Sequence, residues 1–424
     1  MKINKYQALA FLFGLGSAIT VRIIGIFAIS DIISLIFLPF LLIERNLFRE
    51  KLFSKLILFL ILWMVSTFLS DIYNKTDLLN SLKGFFTLIP FFSCLVFSYW
   101  LLKKNLDLIN WFLWGYIFSF ILSAGLGFDA FYIEMIKNKG VNSIEELGHY
   151  NKIFVWIISS FITGAFSITY FRFYPKLVLF FLFVLSLFQL FEGSRGLFLI
   201  TFSCSLFIFY FLRLINYNFS NFLNSFYFNF KKLSMFIFQF GIVLFLSYFI
   251  YFLSVTNGLL GETELEKFQI QKDTKIGLLS GRKEFVSSFL AIKDSPIFGH
   301  GSFAVDKKGY AIEAALITGD DYTYNVLYKT EDEFQIPAHS HIWHAWVTNG
   351  FLGAFFWFFV LFKILLKFFR YYLLDFPKYL AFALLALGNA FWNILFSPFS
   401  QKPYLSMIII FFIVIMEISN KVKN

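Results

Sequence analysis

Charge is scarce in this chain: 15% of its 424 residues are Asp, Glu, Lys or Arg, against 59% apolar. A soluble domain carries about 25% charged and roughly 45–50% apolar residues. With a mean hydropathy of +0.73, the composition excludes an ordinary soluble globule and points to a polytopic membrane protein. Cysteine is nearly absent. Cys94 and Cys204 both sit in apolar runs, which leaves neither a disulfide framework nor a CxxC metal site. Also missing are a G-x-x-x-x-G-K-[ST] phosphate loop, a GxSxG elbow, a dinucleotide fingerprint and an HExxH helix, so the sequence argues against ATP-driven transport by this chain alone. No internal repeat or low-complexity tract is present.

What the chain has in abundance is apolar length. Its 66 phenylalanines act in lipid as one more bulky apolar residue and carry no functional weight. Runs long enough for a helix of about 20 residues fall at 6–21, 26–43, 54–70, 84–102, 108–127, 153–171, 176–191, 196–212, 233–256, 342–366, 379–396 and 404–419. The expected architecture is therefore all-α: a polytopic bundle of about 12 membrane helices, divided into helices 1–9 (1–256), a large outer loop with short helices (257–341), and helices 10–12 with the C-terminus (342–424). The net charge of +10 does not call for nucleic acid, because basic excess in a membrane protein follows the positive-inside rule. The clusters Arg45/Arg49/Lys51/Lys55, Lys103/Lys104, Arg172/Lys176, Lys231/Lys232 and Lys363/Lys367/Arg370/Lys378 place both termini in the cytoplasm. The loop 257–341 then lies outside.

That loop is the one stretch with charge at soluble density. Within it RKEFVSSFLAIKDSP reads as an amphipathic helix with Phe285, Phe289 and Ile292 at helical spacing, ended by Pro296 and the glycines of FGHG. The loop runs into PAHSHIWHAWVTNGFLG, which holds three of the five histidines. Ser340 is placed to cap a helix that starts here. On that helix His341 and His344, three apart, share a face, and His339 falls before the cap.

Three features carry chemistry. Arg195, in FEGSRGLFLI, sits near the outer membrane boundary between two apolar runs, where an ionisable residue serves a site or finds a partner. Snorkelling, or pairing with Glu192, is the plain alternative. Arg282 lies in a polar loop where a solvated arginine is ordinary, and its interest comes from company. Two guanidinium groups, each able to make two parallel charge-assisted bonds to phosphate oxygens, together with a histidine able to take a proton near neutral pH, suit a lipid-linked diphosphate undergoing group transfer. The competing chemistry is a metal held by His339, His341 and His344 with Asp320, Asp321, Glu331 or Asp332.

The segments GIFAISDIISLIFLPFLLI, SRGLFL, GRKEFVSSFLAIKDSPIFGHGSF and AHSHIWHAWVTNGFLG, in this order and spacing, resemble the bacterial O-antigen ligase and O-antigen polymerase superfamily. The resemblance implies a metal-independent, inverting glycosyltransferase of the inner membrane, using no cofactor. Such an enzyme moves a glycan from undecaprenyl diphosphate to lipid A-core or to another glycan at the periplasmic face. It implies catalytic roles for Arg195, Arg282 and His339, with His341 the alternative histidine because Ser340 stands where many members carry Asn. It also implies a substrate-binding surface of Arg195, Arg282, His341, His344, Gly299 and Gly301, the last two from the P-x-x-G-x-G turn. Ligase and polymerase share this donor chemistry. A polysaccharide flippase is the reading from another class, and it would call for an internal repeat.

Overall fold

The computed structural model describes residues 3–17, 19–22, 26–126, 164–191, 194–215, 251–259, 283–319, 335–373, 375–399 and 402–423, with a few single positions between 238 and 269. The described chain is mostly helical. Its helices are α1 (Lys5–Leu15), α2 (Ile29–Ile43), α3 (Lys51–Asn74), α4 (Leu78–Lys104), α5 (Leu108–Leu126), α6 (Pro175–Phe191), α7 (Arg195–Ile215), α8 (Lys283–Asp294), α9 (Tyr310–Thr318), α10 (His341–Phe359), α11 (Leu380–Phe396) and α12 (Lys402–Lys423). α10 continues through a π-helical stretch, Val360–Leu366, to Tyr371. Among the described residues, five helices are long and apolar enough to cross a membrane: Lys51–Asn74, Leu78–Lys104, His341–Tyr371, Pro377–Phe396 and Lys402–Val422.

The chain start departs from the expected pair of spans. α1 has 11 residues, about 16 Å at 1.5 Å per residue, too short for a hydrocarbon core of about 30 Å. The following TVRIIGIFA is rich in β-branched residues, which favour extended backbone. It forms a two-stranded antiparallel hairpin, Thr20–Arg22 on Ile26–Ala28, in the register Val21 to Phe27. Of the other expected spans, 153–163 and half of 233–256 lie outside the described residues.

The structure divides into two compact units, one of Met1–Ser143, Thr274–Phe376 and Ala390–Asn424, the other of Ile144–Asp273 and Pro377–Asn389. In the second unit α6 packs on α7, with Leu190, Phe198, Tyr251 and Val255 in a buried cluster. In the first, α1 pairs with α5, α4 with both α2 and α12, and α3 with α10. Its interior is aromatic: Phe53 stacks on Tyr99 at 3.7 Å, and Trp63, Phe91, Phe356, Trp357 and Phe399 meet one another in the middle. Two polar groups of α2 are paired there, as burial favours. Asp31, itself buried, accepts from the Ala28 N–H at 3.0 Å, and the Ser34 and Ser93 hydroxyls meet at 2.7 Å.

The helix expected to run unbroken through 342–366 is broken at Gly350, whose φ of 72° and ψ of −170° lie in a region essentially closed to other residues. The break is sharp. The His341 and Trp357 rings lie 4.7 Å apart, whereas sixteen residues of straight helix would separate them by about 24 Å. The first segment, 341–349, therefore folds back along the second, and residues 351–371 alone have the length to cross a bilayer.

A break exposes backbone groups, and four of them find partners outside the helix. The carbonyls of Val347 and Thr348 accept from the N–H groups of His300 (2.8 Å) and Gly301 (3.0 Å), and the Phe351 N–H donates to the Pro296 carbonyl at 3.1 Å. From α3, Ser66 Oγ donates to the Asn349 carbonyl (2.5 Å), Ser70 Oγ to the Thr348 carbonyl (2.8 Å) and Trp63 Nε1 to Asn349 Oδ1 (3.0 Å). A Cβ on Gly350 would collide with the Ile297 carbonyl. Gly350→Ala is expected to cost at least about 1–3 kcal/mol in backbone strain and to displace the 296–302 loop as well. Its melting temperature in detergent should fall by several degrees, while Leu352→Ala, at an exposed neighbour, should leave it nearly unchanged.

Candidate functional site

The first unit carries a small lobe built on α8. Its Ser287 and Ser288 hydroxyls both donate to the Pro337 carbonyl, at 2.9 and 3.1 Å, which pins the strand leading to the histidines. Nearby, the Ile336 N–H donates to the Ala304 carbonyl at 3.0 Å, and Val305 bridges Gln335. Ala291, Ile292, Tyr310, Ile336 and Val347 form the small core beneath. Ser340 then caps α10, accepting from the Trp343 N–H at 3.3 Å and donating to the Ile394 carbonyl at 2.9 Å.

This arrangement leaves His339 exposed on the rim of a cleft lined by Glu284, Phe285, Ser288, Trp343, Leu395 and Phe396. One wall is the first turn of α8. Arg282 lies outside the described residues, immediately before that helix's first residue, Lys283. Glu284 was not singled out from the sequence, where one acid in a charged loop has no distinguishing mark. The paired serines at 287 and 288, small polar residues inside an amphipathic helix, were the available signal for how this helix anchors the histidine strand.

The three neighbouring histidines differ in setting. His341 is 2% exposed, its Nδ1 lies 2.8 Å from the Ser397 carbonyl, and its ring packs on Trp357 and Phe399. It serves packing. His344 follows three residues on in the same helix but is exposed, so the boundary between interior and surface runs between them in the first turn of α10. His300 is also structural in its contacts, with Nε2 2.8 Å from the Ala291 carbonyl and its ring on Tyr310. His149 lies outside the described residues.

Gly299 and Gly301, at φ 72° and 89°, sit where the loop meets the broken helix. A Cβ at Gly299 would strike the backbone of Thr348 and Gly350, and one at Gly301 would strike the Thr76 hydroxyl. Close backbone approach accounts for glycine at 299, and crowding by the side chains of Thr76, Asn74 and Asp71 together with the positive φ accounts for it at 301. Beside them Asp71, buried at the C-terminal end of α3, accepts from the Ser302 N–H at 2.6 Å and its hydroxyl at 2.9 Å. Asp71 locks the turn to the helix bundle, and nothing in its local sequence announces a partner 231 positions away.

Arg195 opens α7 in the second unit. The turn before it is closed by the Ser194 N–H donating to Gln189 O at 2.9 Å, and the Ser194 carbonyl accepts the first helical bond, from Phe198 N–H at 3.0 Å. Glu192 and Gly193 lie outside the described residues. Among the described residues no group of three or more His, Cys, Asp or Glu gathers in metal-binding fashion. No family model matches the chain, and no curated protein or solved structure is detectably similar to it.

The lobe has one titrating clamp. Asp294, at the end of α8, accepts from Lys308 Nζ and from the Tyr310 hydroxyl, both at 2.8 Å. The hydrogen bond from Lys308, followed by that from Tyr310, holds its carboxyl below the ordinary value, and burial first, then this carboxylate, pushes the Tyr310 phenol up. A depressed carboxylate contributes stability that is complete above its unfolded pKa of about 3.9 and is lost as pH falls through the lower folded value. Exposed pairs contribute little, so the effect should be local. Protection from hydrogen exchange at the Ser295 amide, which closes the end of α8 on the Ala291 carbonyl beside Asp294, should fall below about pH 4 relative to the α3 amides, and Asp294→Asn should remove that acid dependence.

Proposed function

We propose that the chain is a membrane glycosyltransferase that moves a glycan from undecaprenyl diphosphate to an acceptor hydroxyl on the outer face of a bacterial inner membrane, in the manner of an O-antigen ligase acting on lipid A-core. The observation that carries the reading is the cleft: an exposed histidine faces the first turn of a helix immediately preceded by an arginine. The five long apolar helices fit a substrate that lives in the bilayer, and the resemblance of the motifs supplies the donor class.

In this reading Arg195 and Arg282 hold the diphosphate, neutralising the charge that grows on it as the bond to the anomeric carbon breaks. His339 takes the proton of the acceptor hydroxyl as its oxygen attacks from the opposite face, inverting the centre. Stabilising the charge on the leaving group lowers the barrier more than the proton transfer does, and it requires no metal. A lysine keeps the charge but loses the planar two-point contact, so Arg195→Lys and Arg282→Lys should both impair transfer. His339→Ala should leave donor binding nearly intact while slowing transfer roughly 10²–10⁴-fold. Given their positions, His341→Ala should act through stability and His344→Ala should be mild.

Activity of the purified protein should survive a strong chelator; loss that zinc or magnesium restores would revive the metal reading. In a deletion strain, loss of long chains from lipopolysaccharide while lipid-linked polymer accumulates identifies the ligase, whereas a single repeat unit on the core identifies the polymerase instead. Wild-type glycan from well-folded Arg195→Ala and Arg282→Ala variants would sink the proposal.

A further inference from the structure

The three apolar residues at helical spacing on α8 divide: Ile292 is buried, and Phe285 and Phe289 are exposed. Ser287, Ser288, Ala291 and Ile292 form its inner side, at 9% exposure or less, while Phe285 and Phe289 stand out at 43% and 61%. Hiding a phenylalanine from water is worth about 1.5–3 kcal/mol, so two of them adjacent on one short helix require a cover. Lys293 and Asp294 are exposed further round the same helix, which gives it three distinct sides: one to the lobe core, one aromatic, one charged.

The aromatic side is not an isolated patch. Phe285 packs edge-on to Trp343 at 5.0 Å, Trp343 stacks on Trp346 at 6.1 Å, and Trp346 meets Phe351 at 5.7 Å and Phe358 at 6.0 Å. Phe351 then contacts Phe355, and Phe358 contacts Phe362. Residues 351, 355, 358 and 362 recur at helical spacing on one side of the long apolar segment. Phe351, Phe355 and Phe362 are 44%, 38% and 53% exposed. An uncharged aromatic strip thus runs without a gap from the membrane-crossing helix up onto the α8 lobe. It includes two tryptophans, the residue that collects at membrane interfaces.

We propose that α8 lies in the outer-leaflet interface with Phe285 and Phe289 among lipid acyl chains, so that the partner of this surface is the bilayer itself. The lobe is then a half-immersed shelf, as amphipathic helices in the interface plane are. Phe285 also lines the cleft that holds His339, so the cleft mouth borders lipid along this side. An apolar ligand tail reaches it without crossing water. The inference rests on the membrane placement in the proposed function but not on glycosyl transfer.

The test uses the full chain in phosphatidylcholine vesicles, labelled with an environment-sensitive NBD group at single cysteines introduced as Phe289→Cys, Lys307→Cys and Leu352→Cys. Both native cysteines are buried, and unlabelled wild type checks the background. The Phe289 label should emit to the blue of the Lys307 label. It should also be quenched several-fold more by lipids carrying a nitroxide high on the acyl chain, and several-fold less by aqueous iodide. Iodide quenching at Phe289 equal to that at Lys307 overturns the inference. So does protection from both quenchers combined with Phe289→Cys disulfide cross-linking between chains, which would make a second copy the cover. Leu352 separates the failures, since iodide access there as well would overturn the membrane placement itself, and no outcome depends on turnover.

Discussion

The exchange of backbone hydrogen bonds at Gly350 is the constraint on which the first unit depends. A helix interrupted in an apolar setting leaves N–H and C=O groups without partners, each costing several kcal/mol if abandoned in hydrocarbon. Here they are satisfied from two directions at once, by main-chain groups of the 296–301 loop and by side chains of α3. The break is therefore what attaches the α8 lobe to the bundle. Remove the lobe and the carbonyls of Val347 and Thr348 lose their backbone donors; straighten the helix and the loop loses its acceptors.

From this junction the site follows by short steps. The folded-back segment 341–349 brings the His341 ring into the aromatic interior, which fixes the start of α10. Ser340 ties that start to α11 through the Ile394 carbonyl, and the two serines of α8 hold Pro337. His339, caught between these anchors, has little choice of position and remains at the surface. Gly299 serves the same end by letting two backbones touch.

Much of this was legible in the sequence, and the gaps have physical causes. Length and apolarity mark α3, α4, α11 and α12, since a run of about 20 uncharged residues has few other uses. The cap at Ser340 was visible because capping is local chemistry. The break was not: a lone glycine in a helical pattern is tolerated at about 1 kcal/mol, and what makes Gly350 a break is a docking loop fifty positions away. The division of His341 from His344 was hidden for a related reason, because helical spacing says which residues lie near one another and not where the interior ends. The helical spacing of Phe285, Phe289 and Ile292 marked α8 as amphipathic but not which of the three the lobe would bury. Periodicity identifies an apolar side, and the pattern alone does not say what covers it. In the opening segment, β-branched residues prevailed over an apolar run that reads as helix.

The hydroxyls of Ser66 and Ser70 lie 283 and 278 positions from the carbonyls they bond, which sets an order on assembly. A chain emerges from its N-terminus, and its early elements are in place while the rest is still being made. Until residues 348 and 349 exist, neither serine has its interhelical acceptor, and each must turn its proton to the preceding turn of its own helix, as Thr67 does to the Trp63 carbonyl in the finished protein. The junction that holds the lobe is thus completed only once residues 348 and 349 have been synthesised. A ribosome that stops short of α10 leaves α3 intact with nothing to grip.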